Sequence, residues 1–255
     1  MLLLISCAKT MKDTSKYEVS QATVPLFIQE AREIALQMSQ FSVQDLEVML
    51  KVNSKIAVEN YKRYQSFHST DTTELPALLA YTGIVFKRLN PTDFTMGDFL
   101  YAQKHLRITS FCYGMLRPLD AIRLYRLEGD VRLPGYHEGT LFSYWQSKLT
   151  DLFISDIKAS GGVLFYLASD EMRGLFDWKK VLREIKVVTP EFHVHKNGKL
   201  STIVVYTKMA RGEMTRFIIK NRIDSLETLK SFTWEGFRYD ENLSNDEHFV
   251  YTVEG

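Results

Sequence analysis

The chain has 255 residues, 45% of them hydrophobic, with 32 basic and 31 acidic side chains. A chain of this size buries most of the apolar surface it would expose when unfolded, so it needs no separate staple. Its net charge of +1 excludes a molecule that attracts polyanions as a whole, and any nucleic-acid binding must come from cations gathered into a local patch.

Residues 2–5 form an apolar strand, and the polar run Ser6-Cys7-Ala8-Lys9-Thr10 follows it. This start could pass for a lipoprotein signal ending at Cys7. It has no basic n-region, and its apolar run falls short of the roughly 7–15 residues of an h-region. No stretch approaches the roughly 18 uninterrupted apolar residues of a membrane span. The expectation is a soluble, cytoplasmic protein with no membrane association, in which Cys7 and Cys112 stay reduced.

Residues 12–21 read as a polar loop, and residues 22–67 as consecutive helices. Pro25 suits a first helical turn, and Leu26, Ala31, Ile34, Ala35 and Met38 recur at helical spacing. Ser42 with Asp45 marks the next helix start, ahead of Leu46, Met49 and Leu50. Residues 75–80 suggest a short helix and residues 81–86 a turn and strand. Helix returns over 98–107, runs into Tyr113-Gly114 and stops before Pro118, and 118–130 reads as a short helix and a loop.

From Thr140, the residues Leu141, Trp145, Leu149, Leu152, Phe153 and Ile157 mark an amphipathic helix that Gly161-Gly162 ends. The strand 163–167 follows, and with the helix it forms an α-to-β unit feeding a central sheet. Residues 192–195 and 200–207 read as a hairpin about Asn197-Gly198, a pair suited to a tight turn. A basic helix over 208–222 comes next.

Four polar clusters follow apolar runs: Ser6 to Thr10, Ala168-Ser169-Asp170-Glu171, Lys208-Met209-Ala210-Arg211-Gly212, and the run from Glu235 to Glu241. Loops leaving one edge of a parallel sheet converge there. Lys9, Asp170 and Arg211, with Ser6, Ser169, Lys208 and Glu235, are therefore expected around one pocket. A lysine beside a carboxylate at a dry strand end could be a reactive pair, with Asp170 or Glu171 as general acid or base. The alternative for Asp170 and Glu171 is an N-cap and first-turn acid. Lys9 would also favour a thiolate at Cys7, which is otherwise a packing residue.

A second basic group, Arg117, Arg123, Arg126 and Arg132, alternates with Tyr113, Tyr125 and Tyr136. It suits phosphate gripping or base stacking. It equally suits arginines paired with Asp120, Glu128 and Asp130. His193, His195 and Glu191 share one strand face, but three ligands beside a turn would be poorly preorganised, and neither metal nor cofactor is expected.

The ordered motifs LISCAKT, AQKHLR, YGMLRPLDAIRLYRLEG, LASDE, ARGEMTRFIIKNR and EGFRYDENLS resemble the YaaA family of bacterial peroxide stress proteins across essentially the whole chain. Cys7 replaces that family's proline, and Phe111 stands where the family's turn has its first glycine. The resemblance implies a cytosolic, DNA-binding protein of the oxidative-stress response with a helix-hairpin-helix element about Gly114.

The fold expected is one mixed α/β domain over residues 1–255, its central mixed sheet drawn from strands near 2–5, 163–168, 187–195 and 200–207 and flanked by helices. Double-stranded DNA is the expected partner, contacted through Arg117, Arg123, Arg126, Lys208 and Arg211, and no protein partner is implied. The alternative is a nucleic-acid or nucleobase-modifying enzyme in which Lys9, Asp170 and Arg211 converge in a pocket.

Overall fold

The computed structural model describes residues 1–255 apart from Glu18, Ser20 and Asn197. Its strands are β1 (Leu2–Ile5), β2 (Leu75–Pro76), β3 (Leu106–Ser110), β4 (Gly114–Leu116), β5 (Ala121–Ile122), β6 (Val163–Tyr166), β7 (Lys186–Lys196), β8 (Lys199–Ser201), β9 (Arg238–Tyr239) and β10 (His248–Glu254). The helices are α1 (Ile28–Met38), α2 (Val43–Met49), α3 (Ser54–Ser66), α4 (Ala77–Ala80), α5 (Ile84–Leu89), α6 (Met96–His105), α7 (Leu141–Ala159), α8 (Trp178–Glu184), α9 (Val204–Asn221) and α10 (Leu226–Leu229).

The sheet runs β4-β3-β1-β6-β7-β10-β9, with β8 beside β7. The inner five strands, β3 to β10 in that order, are mutually parallel, and β4, β8 and β9 are antiparallel additions. β1 and β3 are buried at every position, which explains the continuous apolar run Leu2 to Ile5 of a strand covered on both faces. Among the described residues no helix is long and apolar enough to cross a membrane.

Local signals act as expected in the helices. Ser42 and Asp45 form a reciprocal capping box for α2, and Thr140 caps α7 by accepting the Ser143 amide. α7 ends at Gly161 and Gly162, both at positive φ. Its Trp145 is fully buried and donates to the Phe111 carbonyl at 2.8 Å.

Four expectations need correction. The segment about Gly114 is a β-hairpin, with Ser110 opposite Gly114, and not a helix-hairpin-helix. Ser110 Oγ closes its turn by accepting the amides of Cys112 and Tyr113, and Gly114 is required because a Cβ there would lie 2.6 Å from the Trp145 ring. Residues 81–86 contain the start of α5 and no strand: its register is set by packing on α9, where Gly212 lets the Val85 carbonyl approach to 2.3 Å of a would-be Cβ. The expected strand 200–207 stops at Ser201, because the buried face of Ala210, Met214 and Ile218 continues helix back to Val204. The chain from Asp98 leaves helix at His105, and the buried β3 takes over. The turn position Asn197 lies outside the described residues, while Lys196 and Lys199 pair across it. Glu18 and Ser20 of the expected 12–21 loop lie outside them too.

Candidate functional site

From β1 the chain crosses to β3 on one side, and from β6 it crosses to β7 on the other, so the loops after β1 and β6 part at their carboxyl ends. Such a reversal of winding leaves a crevice at the strand ends. Side chains hold its two lips together. Ser6 Oγ accepts the Ser169 amide at 2.8 Å and lies 3.2 Å from Ser169 Oγ. The Cys7 amide donates to Thr109 Oγ1 of β3 at 3.3 Å, and the Tyr166 hydroxyl donates to the Ser169 carbonyl at 2.6 Å.

The crevice opens into a cavity of about 400 Å³, walled by Phe86, Phe111, Tyr125, Leu127, Leu167 and Met172 and edged with charge. Lys9 Nζ lies 2.7 Å from Glu128 Oε2, and Arg126 Nη2 lies 3.7 Å from Glu128 Oε1. Glu171, Lys208 and Arg211 complete the rim. Two further depressions share its walls. One adds Lys51 and Asp130 and shares Lys9, Arg126, Glu128 and Glu171; the other holds Asp170, Arg173, Glu191, His193 and His248 and shares Arg211. Together they make a cleft that runs from the carboxyl ends of β1, β3 and β6 to the middle of β7 and the amino end of β10.

Among the described residues, four buried side-chain polar atoms lack a hydrogen-bond partner: Arg126 Nε, Glu128 Oε1, Arg173 Nε and Arg211 Nε. All four belong to residues of this cleft. Buried polar atoms are ordinarily paired, and leaving one unpaired costs about 1–3 kcal/mol. Burial pushes the Arg211 guanidinium below its ordinary value, against the opposing pull of Tyr166 and Asp170. Arg173 lies 5.2 Å from the Tyr166 ring and 5.3 Å from the Trp178 ring, and 3.3 Å from Asp170.

Of the expected constellation, Ser6, Lys9, Ser169, Lys208 and Arg211 line the cavity. Lys208 and Arg211 arrive there on the second turn and beyond of α9, not from a strand end. Asp170 lies in the adjoining depression with an exposed side chain beside Arg173, and Glu171 faces the cavity in its place. The N-cap position belongs to Ser169. Glu235 is exposed in a turn at φ 47°, outside the cavity.

Of the other expected cations, Arg132 is exposed with no ion pair among the described residues, and the rest have intramolecular partners. Arg117 meets Asp120 through Nε and Nη2 at 3.1 and 2.8 Å. Arg123 donates to Glu74 at 2.8 Å, to the Ser69 carbonyl at 2.9 Å and to the Phe67 carbonyl. Arg126 is mostly buried at the cavity wall. Arg222, past the end of α9, closes the basic run expected over 208–222 and binds Asp98 at 2.7 Å, away from Lys208 and Arg211.

Of the two readings of Cys7, the packing residue has the better support. Burial pushes its thiol up to about 12, and Lys9 is turned to Glu128. Both cysteines are free thiols. Glu191 bonds His193 at 3.0 Å and His248 at 2.6 Å, and these two bonds hold its carboxyl below the usual range although burial opposes them. His195 takes no part in that group, and no cluster among the described residues has the make-up of a metal site. The residue that sequence reasoning undervalued is Glu128. Its signal in the sequence is one of three acids inside an arginine-rich run, where it reads as a neutralising partner.

The family model described as Peroxide stress protein YaaA matches residues 1–243. A UPF0246 protein of Bacteroides fragilis is 68% identical over 252 residues, covering 99% of this chain and 98% of its own length. UPF0246 proteins of Parabacteroides distasonis and Clostridium beijerinckii are 49% and 38% identical, covering 100% and 99% of this chain and 100% and 97% of their own lengths.

Proposed function

Because the chain belongs to the YaaA family of peroxide stress proteins, we propose that it serves the peroxide-stress response by binding duplex DNA in the cytoplasm, with Lys208 and Arg211 taking phosphates at the mouth of the switch-point cavity. The observation that carries this reading is the concentration of all four unpartnered buried polar atoms, three of them on arginines, in one cleft. A guanidinium that makes no ion pair among the described residues, as at Arg211, is suited to charge-assisted bonds with phosphate oxygens. Lys208 is exposed, and neither it nor Arg211 makes an ion pair among the described residues. Arg117 and Arg123 are assigned a lesser part, since each is already ion-paired, with Asp120 and Glu74 respectively.

Fluorescence anisotropy of a labelled duplex across a salt series tests the reading. Log affinity should fall with log salt at about −0.9 for each phosphate neutralised, with little dependence on sequence. Replacing Lys208 and Arg211 together by alanine should flatten that slope by about two units. Binding indifferent to salt, or an unchanged slope in the folded double variant, overturns it.

A second reading, a nucleobase-modifying enzyme, is favoured by one observation: the cavity holds a buried carboxylate, Glu128, against Lys9 between apolar walls. A carboxylate and lysine so placed could serve as general base and acid on a nucleotide turned out of the duplex.

A further inference from the structure

The Glu128 side chain is 9% exposed. Its Oε2 receives Lys9, while its Oε1 has no hydrogen-bond partner among the described residues and the nearest cation, Arg126 Nη2, stands 3.7 Å away, beyond hydrogen-bond range. A carboxylate offers lone pairs and no donor, so the group that completes this site brings N–H or O–H donors. The walls beside it include the Phe111 and Tyr125 rings, which suit a flat aromatic partner. Glu128 is on the wall shared with the Lys51 and Asp130 depression, and Arg211 is on the wall shared with the opposite one. Glu128, with Lys9 and Arg126 beside it, therefore marks the side of the cavity that adjoins one depression, and Arg211 the side that adjoins the other.

We propose that this cavity admits a single nucleotide, its 5′-phosphate toward Lys208 and Arg211 and its base edge toward Glu128, and that it prefers guanine. The inference rests on the nucleic-acid reading above and names what that site selects. Guanine alone among the common bases presents two adjacent donors, N1–H and the N2 amino group, along its pairing edge, matching the span of a carboxylate. Adenine and cytosine offer one amino group each, the latter a known match for a carboxylate. Uracil and thymine offer one N–H between two carbonyl oxygens, which a carboxylate repels. A cavity of about 400 Å³ lies within the range of small-ligand sites.

Isothermal titration of the full chain with GMP, AMP, CMP, UMP and inorganic phosphate decides the matter. GMP should bind about tenfold or more tightly than UMP, as expected for a bidentate edge contact, with AMP and CMP between them and phosphate weakest. Glu128→Gln, which substitutes donors for one acceptor, should bring GMP down to the level of UMP. Glu128→Asp, which withdraws the carboxylate by one methylene, should do the same if the amide variant fails to fold. Equal affinity for all four nucleotides, no binding at millimolar GMP, or a GMP preference that survives in a folded Glu128 variant overturns the proposal. Salt-dependent duplex binding without a nucleotide preference sinks this inference alone. A guanine preference without duplex binding sinks only the DNA reading.

Discussion

Two arginine-rich regions of this protein have opposite characters. Around Arg117 and Arg123 the guanidinium groups have acidic partners: buried Asp120 accepts from the Arg117 amide and guanidinium and from Thr23 Oγ1, and Glu74 with two carbonyls takes Arg123. Along the cleft, Arg126, Arg173 and Arg211 each keep a buried nitrogen without a partner, and Glu128 keeps an oxygen. The first region uses charge to fix chain segments far apart in sequence. The second leaves buried polar atoms unpaired among the described residues, at a cost in stability, and on this the proposed ligand site rests.

The comparison breaks most visibly at Asp120. Asp120→Ala leaves Arg117 and Thr23 without their shared acceptor, and should cost about 3 kcal/mol in urea denaturation. A loss below about 1 kcal/mol would place the Arg117 region among the loosely held surface pairs.

Asp98 extends the matched character to the end of α9. Burial works against its charged form, but the Thr95 amide and the Arg222 and Lys220 cations outweigh this and hold its carboxyl far below the usual range. A depressed folded value stabilises the protein above the unfolded carboxylate pKa, about 3.9, and this contribution drains away as pH falls toward the folded value. The Asp98→Asn variant should therefore show a shallower loss of stability between about pH 4 and pH 2 than the parent. Parallel curves would remove Asp98 from the account.

The cleft should respond in the other direction. Arg211→Met removes a buried nitrogen without a partner and keeps much of the side-chain volume, so stability should hold or rise by up to about 1 kcal/mol while duplex affinity falls. A clear loss of stability would show that Arg211 has a structural partner. Smallest is the effect at Cys7. With its thiol pushed up to about 12, iodoacetamide labelling at neutral pH should be slow in the folded protein and fast after denaturation. Rapid labelling of the native chain would restore the thiolate.

What the sequence made legible was local. The Ser42 and Asp45 box, the Thr140 cap and the double glycine after α7 act within a few residues of themselves, and each of those helix ends was readable. β3 and β10 were not, because a buried parallel strand is defined by its neighbours, and the Asp98 helix gave no sign of ending at His105. β-branched Val204 and Val205 concealed the start of α9 for a related reason: the helix is held by Ala210, Met214 and Ile218, further along. At the site, Ser6, Lys9 and Ser169 were readable because they follow apolar strands. The openness of Glu128 was not, since it depends on Lys9 arriving from a distant loop while the neighbouring Arg126 stops at 3.7 Å.

The place of β1 has a consequence for how this chain is made. Leu2 to Ile5 leave the ribosome ahead of every other sheet strand, yet their backbone partners are Leu106 to Ile108 on one side and Leu164 to Tyr166 on the other. At about 5–20 residues per second, translation takes roughly ten seconds or more to deliver the second partner. Until Leu106 to Ile108 emerge these four aliphatic residues have no sheet partner, and one flank stays open until Leu164 to Tyr166 follow; parallel pairing across such long loops is slow even afterwards. The strand that becomes the most deeply enclosed is thus made first and fully paired only after both of its distant neighbours exist.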